Sequence, residues 1–169
     1  MEKNRFSSGD YHLAFYSGHN AAMLLPCVWG EIDPRVKKYI VWSRPNAQKE
    51  IALYEQWSKA DFVCLAYDSD ERFVASAWID TAQIGNKEYK FAHFFFNGSA
   101  IDSVSCQFWQ AVDALRPYKE IFALIPLKYR WARKHARKFG FEYVQKLKSS
   151  IIMDGFDDLQ DAELLRRAV

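Results

Sequence analysis

The feature that most constrains this chain is the change of hydrophobic period between Tyr89 and Val144. Tyr89 to Phe96 has strand character and ends in Phe94-Phe95-Phe96. A turn with one glycine, Asn97-Gly98-Ser99-Ala100, follows. Ile101, Val104, Phe108, Val112 and Leu115 then recur at three- and four-residue intervals, which predicts an amphipathic helix laid on a sheet and stopped by Pro117. Glu120 to Ile125 is a buried strand. Because it returns after a helix, a right-handed crossover to a parallel neighbour is expected. Tyr129 to Phe139 is a second helix, with Tyr129, Ala132, Ala136 and Phe139 inward and Arg130, Arg133, Lys134, Arg137 and Lys138 outward. Gly140 provides a left-handed stop, and Phe141 opens another strand.

Around this stretch the remaining elements are legible at lower resolution. Residues 1–10 read as a loose lead-in and Tyr11 to Tyr16 as a short strand. Asn20 to Val28 reads as a short helix weakened at its end by Pro26. Asp33-Pro34 is a good helix start, predicting a helix from Pro34 to Trp42, and Ala47 to Lys59 has good helix formers without a breaker. Phe62 to Tyr67 is nearly continuous apolar, as a strand buried on both faces should be. Phe73 to Ile79 completes an antiparallel hairpin with it. Phe141 to Leu147 and Ser150 to Met153 read as two final strands. Asp157 to Ala168 reads as a terminal helix, because its acids come first and Arg166-Arg167 last, the order the helix dipole favours.

Composition narrows the class. Half of the 169 residues are hydrophobic and 17% are aromatic, which excludes intrinsic disorder. No apolar run approaches the ~20 residues of a membrane-spanning helix, and no apolar stretch follows the charges of Met1 to Phe6 to make a secretory signal. Cys27, Cys64 and Cys106 are spread singly, as expected of reduced, mostly packed thiols in a cytoplasmic protein. No Cys or His lies at metal-ligand spacing from another, so no metal is expected. Gly-x-Ser-x-Gly is absent, and no Ser-His-Asp arrangement is expected. A net charge of +2 does not announce nucleic acid.

The order strand, helices, three strands, helix, strand, helix, strand, strand, together with Ala132 to Phe141 ending in Phe139-Gly140-Phe141, resembles the GNAT (GCN5-related N-acetyltransferase) superfamily. The resemblance spans about residues 11–153 and implies one α/β (α+β) domain over 1–169. Its sheet would be mixed, mostly antiparallel, with six or seven strands and helices on both faces. It implies acetyl-CoA or another acyl-CoA as co-substrate and an amine acceptor. Leu124 to Pro126 and the Tyr-Arg after them resemble small phage-borne members of the superfamily, which implies the alternative of a non-catalytic head-assembly or virion protein with a protein partner.

In that superfamily a Gly-rich loop before the first crossover helix holds the CoA pyrophosphate. Here the candidates at that place are Phe94, Phe95, Phe96, Asn97, Gly98 and Ser99, with one glycine and no base between Phe91 and Phe108. Ser99-Ala100-Ile101-Asp102 matches a capping box, which would satisfy the helix amides internally. Asp102 would also repel a phosphate by about 3 kcal/mol per charge pair at ~5 Å and an effective dielectric of ~20. Arg130 and Arg133 on the basic helix are the candidate phosphate ligands. The same stripe also reads as a solvated face paired with the acidic terminal segment, or as a nucleic-acid contact with Trp131 for stacking. The position of the family's proton-donating Tyr is Ala136, which has no proton to give. That leaves Tyr129 as candidate acid, and His93 and Asp80 as candidate bases.

Overall fold

The computed structural model describes residues 4–8, 10–115 and 118–168. The expected stop at Pro117 and residues 1–3 lie outside them. The chain forms β1 (Asn4–Ser8), β2 (Tyr11–Tyr16), α1 (Gly18–Glu31), α2 (Pro34–Lys37), a short 3-10 turn (Asn46–Gln48) and α3 (Lys49–Lys59). It continues with β3 (Phe62–Asp68), β4 (Phe73–Ile84), β5 (Lys87–Phe96), α4 (Asp102–Leu115), β6 (Glu120–Pro126), α5 (Arg130–Lys138), β7 (Glu142–Ile151) and β8 (Gln160–Ala168).

The strands make one mixed sheet in the order β1-β2-β3-β4-β5-β6-β8-β7, antiparallel everywhere except between β5 and β6. Side chains alternate across it. Cys64, Ala66, Ala77 and Phe96 pack on one face with Val104, Phe108 and Val112 of α4, and Ala136 of α5 joins them. Val63, Leu65, Trp78 and Phe95 pack on the other with Ala21, Leu25 and Val28 of α1 and Leu53 and Trp57 of α3. β3 is therefore buried on both faces, which explains its continuous apolar sequence.

The α/β class, the mixed sheet and the helices on both faces match the expectation. Among the described residues the sheet has eight strands, and several boundaries differ for identifiable reasons. β1 occupies part of the expected lead-in and pairs with β2 from Asn4 opposite Phe15 to Ser8 opposite Tyr11. α1 passes through Pro26 to Glu31, because its buried stripe of Ala21, Ala22, Leu25 and Val28 outweighs the lost hydrogen bond. α2 stops at Lys37 instead of Trp42. The ammonium of Lys49 collects the carbonyls of Lys38 (2.8 Å), Ile40 (3.2 Å) and Val41 (3.5 Å), and Val41 takes a left-handed φ of 48°. β4 continues to Ile84, which makes Asp80 a mid-strand residue rather than a strand end. The two expected strands from Phe141 to Met153 are one strand, β7, with register shifts at Tyr143/Gln145 and Leu147/Ile151.

The largest correction is at the C-terminal end. Residues 157–168 do not form a helix. Gln160–Ala168 is strand β8, inserted between β6 and β7 with Ala162 and Leu165 fully buried. The acids and bases that suggested a helix dipole make ion pairs to neighbouring elements instead. Arg166 meets Glu120 at 3.5 Å, Asp161 meets Lys146 at 2.7 Å, and Glu163 binds two arginines of α5. Of the cysteines only Cys64 is packed, while Cys27 and Cys106 are exposed.

α1 begins against the end of α3. A Cβ at Gly18 would lie 2.3 Å from the Trp57 carbonyl oxygen and 2.5 Å from that of Ala60, both backbone atoms that cannot move independently. Gly18→Ala is therefore expected to lower stability by about 1–3 kcal/mol. A urea denaturation midpoint unchanged from wild type would contradict this close approach.

Candidate functional site

Strands β5 and β6 are joined at one register position, Phe91 opposite Phe122. The ring of Phe122 is wedged there against Tyr89 (5.6 Å) and Phe91 (6.0 Å). Past this point β6 continues its ladder with β8 and ends at Pro126, which has no N–H to offer β5. The strands part, and a cavity of about 610 Å³ opens between Phe94–Phe96 on one side and Leu124–Pro126 on the other. That volume lies within the ~300–1,000 Å³ range of small-molecule sites. One end reaches Gly98 and Ser99 before α4 and His135, Ala136 and Phe139 of α5. The other reaches Tyr39, Ile40 and Trp42, with Trp78 and His93 in its wall.

His93 and Asp80 come together. Trp78 is the register partner of His93 across β4 and β5, and Asp80, two residues on, shares its face. The His93 ring stacks on Trp78 at 4.9 Å and 11°, and its Nε2 lies 3.0 Å from Asp80 Oδ2. Asp80 itself lines a second, smaller pocket with Arg44, Glu55 and Thr81, so the pair runs along one face of the sheet from one cavity to the next. A carboxylate on one ring nitrogen fixes the tautomer and leaves Nδ1 as the basic atom, the arrangement a general base requires.

Tyr129 lies in the cavity wall just before α5. Its ring meets Tyr39 edge-on at 5.7 Å and packs with Ile151, Met153 and Ala162. Burial, and then Tyr39, push its hydroxyl above the usual phenol range, so it carries its proton at neutral pH.

The start of α4 differs from the expected capping box. The helix begins at Asp102, beyond Ser99, and its first carbonyl-bonded amide is Ser105 N to Ile101 O (3.2 Å). Among the described residues no side chain caps the amides between Gly98 and Val104. Ser99 is exposed along the cavity, and Asp102 turns away to pair with Lys138 of α5, which holds its carboxyl below the usual range. The phosphate repulsion expected from Asp102 is thereby offset by a neighbouring ammonium.

His135 is a cavity residue that sequence reasoning passed over. Its Nε2 lies 2.9 Å from Ser105 Oγ and its Nδ1 lies 3.9 Å from Asp102, so a serine, a histidine and an aspartate do meet here. Ser105 is fully buried and does not line the cavity, which makes it a support for the ring. Phe94, Phe96 and Phe139 enclose the imidazole, and burial pushes its pKa below 6.5.

The remaining candidates lie apart from the cavity lining. Asn97 is a bracket: its Oδ1 accepts from Asp33 N (2.7 Å), and its amide donates to the carbonyls of Glu31 (2.9 Å) and Phe73 (3.2 Å). Arg133 donates to Glu163 (2.7 Å) and to the Leu127 carbonyl (3.0 Å), and Arg137 holds the other Glu163 oxygen at 2.7 Å. Much of the basic stripe is thus neutralised by the acidic terminal segment. Arg130 is exposed and, with Lys134, makes no ion pair among the described residues. No group of three potential metal ligands occurs among the described residues, and no described helix is long and apolar enough to cross a membrane.

No family model and no curated protein sequence matches the chain. Solved structures do. An apo RimL ribosomal L7/L12 α-N-protein acetyltransferase aligns with a TM-score of 0.70 at 14% identity, covering 100% of this chain and 96% of that one. A ribosomal-protein-S5-alanine acetyltransferase from Vibrio fischeri aligns at 0.65 and 11%, covering 97% and 96%. RimL in complex with coenzyme A aligns at 0.62 and 14%, covering 96% of each chain. The fold is therefore that of GNAT acetyltransferases. None of these findings bears on the likeness to phage-borne proteins.

Because the folded state lowers the His135 pKa, it binds that proton less readily than the unfolded chain. Its contribution to stability is complete above about pH 6.5 and is lost as pH falls toward the folded-state value. Urea melts of wild type and His135→Gln are expected to converge as pH falls from 7 to below 6.5. A difference that stays constant with pH would contradict the burial of a neutral imidazole.

Proposed function

We propose that this protein is an acyl-CoA-dependent N-acyltransferase of GNAT type. The observation that supports the proposal is the parting of β5 and β6, since the cavity between them is lined by His93, the partner of Asp80, and by Gly98 and Ser99 before the uncapped start of α4. The residues fit an acyl-CoA substrate. The gap beside Phe94, Phe95 and Phe96 suits the thin pantetheine arm, with strand backbone free of a β6 partner available to the thioester carbonyl. The amides near Gly98 and Ser99, the dipole of α4 and the Lys138 ammonium beside Asp102 suit the pyrophosphate. Arg130 remains available to an outer phosphate. Arg133, held by Glu163, positions α5 instead.

The amine acceptor enters from the Trp42 end. His93 Nδ1 removes the ammonium proton while Asp80 holds Nε2, and the proton leaves through Asp80 toward the second pocket. The free amine attacks the thioester carbonyl directly, forming the amide C–N bond as the C–S bond breaks. Tyr129, protonated at neutral pH, supplies a proton to the departing thiolate in place of the donor that Ala136 lacks, and the second proton shed by the acylated nitrogen restores the phenol.

Millimolar CoA is expected to raise the melting temperature, because a ligand at ~100 times its Kd adds about 2.7 kcal/mol. No shift would overturn the proposal. With CoA binding established, His93→Ala is expected to lower kcat roughly 10²-fold or more, and Asp80→Asn by less. Ala136 is the observation that favours the alternative, a GNAT-fold module that binds without transferring an acyl group. CoA binding with no turnover across an amine panel would decide for it.

A further inference from the structure

We infer that the acceptor end of the cavity is built for a primary amine carried on a flat apolar or aromatic body, without a second positive charge. The inference rests on the acyltransferase reading for its chemistry but on separate residues for its specificity. The wall opposite His93 is made by the segment after α2, where Tyr39, Ile40 and Trp42 line the cavity, and Trp78 lies beneath the His93 ring. Tyr129 closes the corner against Tyr39. An aromatic body can slide between such surfaces and leave its amine at the imidazole.

This wall is pre-formed. Lys49, 1% exposed, ties down the carbonyls of Lys38, Ile40 and Val41, and the Trp42 carbonyl accepts from Asp154 N at 2.9 Å. The Trp42 ring packs on the cluster of Ile151, Met153 and Ala162. A rigid aromatic wall needs little ordering when ligand arrives.

The charges exclude the other common class of amine. Among the described residues lining the cavity, the carboxylate is Asp33. It is already occupied by the Arg35 guanidinium through bonds of 2.7, 3.1 and 3.2 Å, and by the Arg35 amide at 2.7 Å. The Asp80 carboxylate is bound to His93. A polyamine would bring a second ammonium with no free counter-charge among the described residues of this cavity's lining, and an unpaired charge in an apolar wall is strongly disfavoured.

The shared ligand chemistry, a primary amine next to an aromatic group, occurs in free arylalkylamines and in peptides with an aromatic first residue. The test compares 2-phenylethylamine, a tetrapeptide beginning with Phe, and spermidine. Binding to the protein is measured by calorimetry with and without CoA, and acetyl transfer from acetyl-CoA is measured as kcat/KM. At least tenfold preference for an aromatic amine over spermidine is expected, and the two aromatic probes identify the source. Arg35→Ala, at a side chain 89% exposed, unmasks Asp33 and is expected to narrow that preference at least fivefold through KM. Spermidine matching or exceeding both aromatic probes in transfer would overturn the inference while leaving the acyltransferase reading intact. Aromatic-amine binding without any transfer would overturn that reading and retain the site. Absence of binding by every probe would overturn the inference. An Arg35→Ala protein with wild-type melting temperature and unchanged preference would overturn the role of Asp33.

Discussion

The arrangement depends on how briefly β5 and β6 stay together. One register position, fixed by Phe122 between Tyr89 and Phe91, holds the two parts of the sheet as one layer. A longer ladder would close the cavity, and its loss would separate the halves. The outer partners set the limit. β5 is committed to β4 along ten positions and β6 to β8 along seven, so each strand follows its antiparallel neighbour as sheet twist carries the two apart. The unpaired strand ends are then wall rather than exposed edge.

The ionic contacts explain why the walls keep their places. Glu163 of β8, 8% exposed, draws Arg133 and Arg137 onto the sheet and thereby orients α5, which presents His135, Ala136 and Phe139 to the cavity. Lys138 ties the far end of α5 to the start of α4 through Asp102. Lys49 performs the corresponding service on the opposite face by gathering carbonyls that would otherwise have continued α2. Charges that read as surface decoration in a linear sequence therefore act mainly as fasteners between elements. A buried charge with its partner removed is costly, so each fastener is also a point of vulnerability.

Much of the frame was legible because its signals are local. The period of α4, the apolar run of β3 and the Gly140 stop lie within single elements, and all were read correctly to within a few residues. β8 was misread because its middle, Ala162, Glu163 and Leu165, is covered on both faces and shows no alternation, while its acid-to-base gradient imitates a helix. The truncation of α2 was invisible because its cause, Lys49, lies eleven residues beyond Lys38. At the site, His93 and Asp80 were identifiable as chemical types, but their hydrogen bond depends on the β4–β5 register. His135 gained its meaning only when Ser105, thirty residues earlier, folded against it. The Ser99 cap failed for a complementary reason. Its residues matched a pattern, but Asp102 found a stronger partner in Lys138.

The placement of β8 has a consequence for how the protein is made. The strand that separates β6 from β7 is synthesised after both of them, and its neighbours must wait for it without sealing against each other. The N-terminal half can settle early, since β1 to β5 pair in simple sequence order. The half that carries the far wall of the cavity stays incomplete until Gln160–Ala168 has emerged. During that interval α5 has no Glu163 to hold it, and the core beside Ile121 and Ala123 lacks Leu165. A nascent or prematurely ended chain therefore carries a well-formed β-meander beside an open, sticky edge. The far wall of the cavity is completed in one late step rather than growing with chain length.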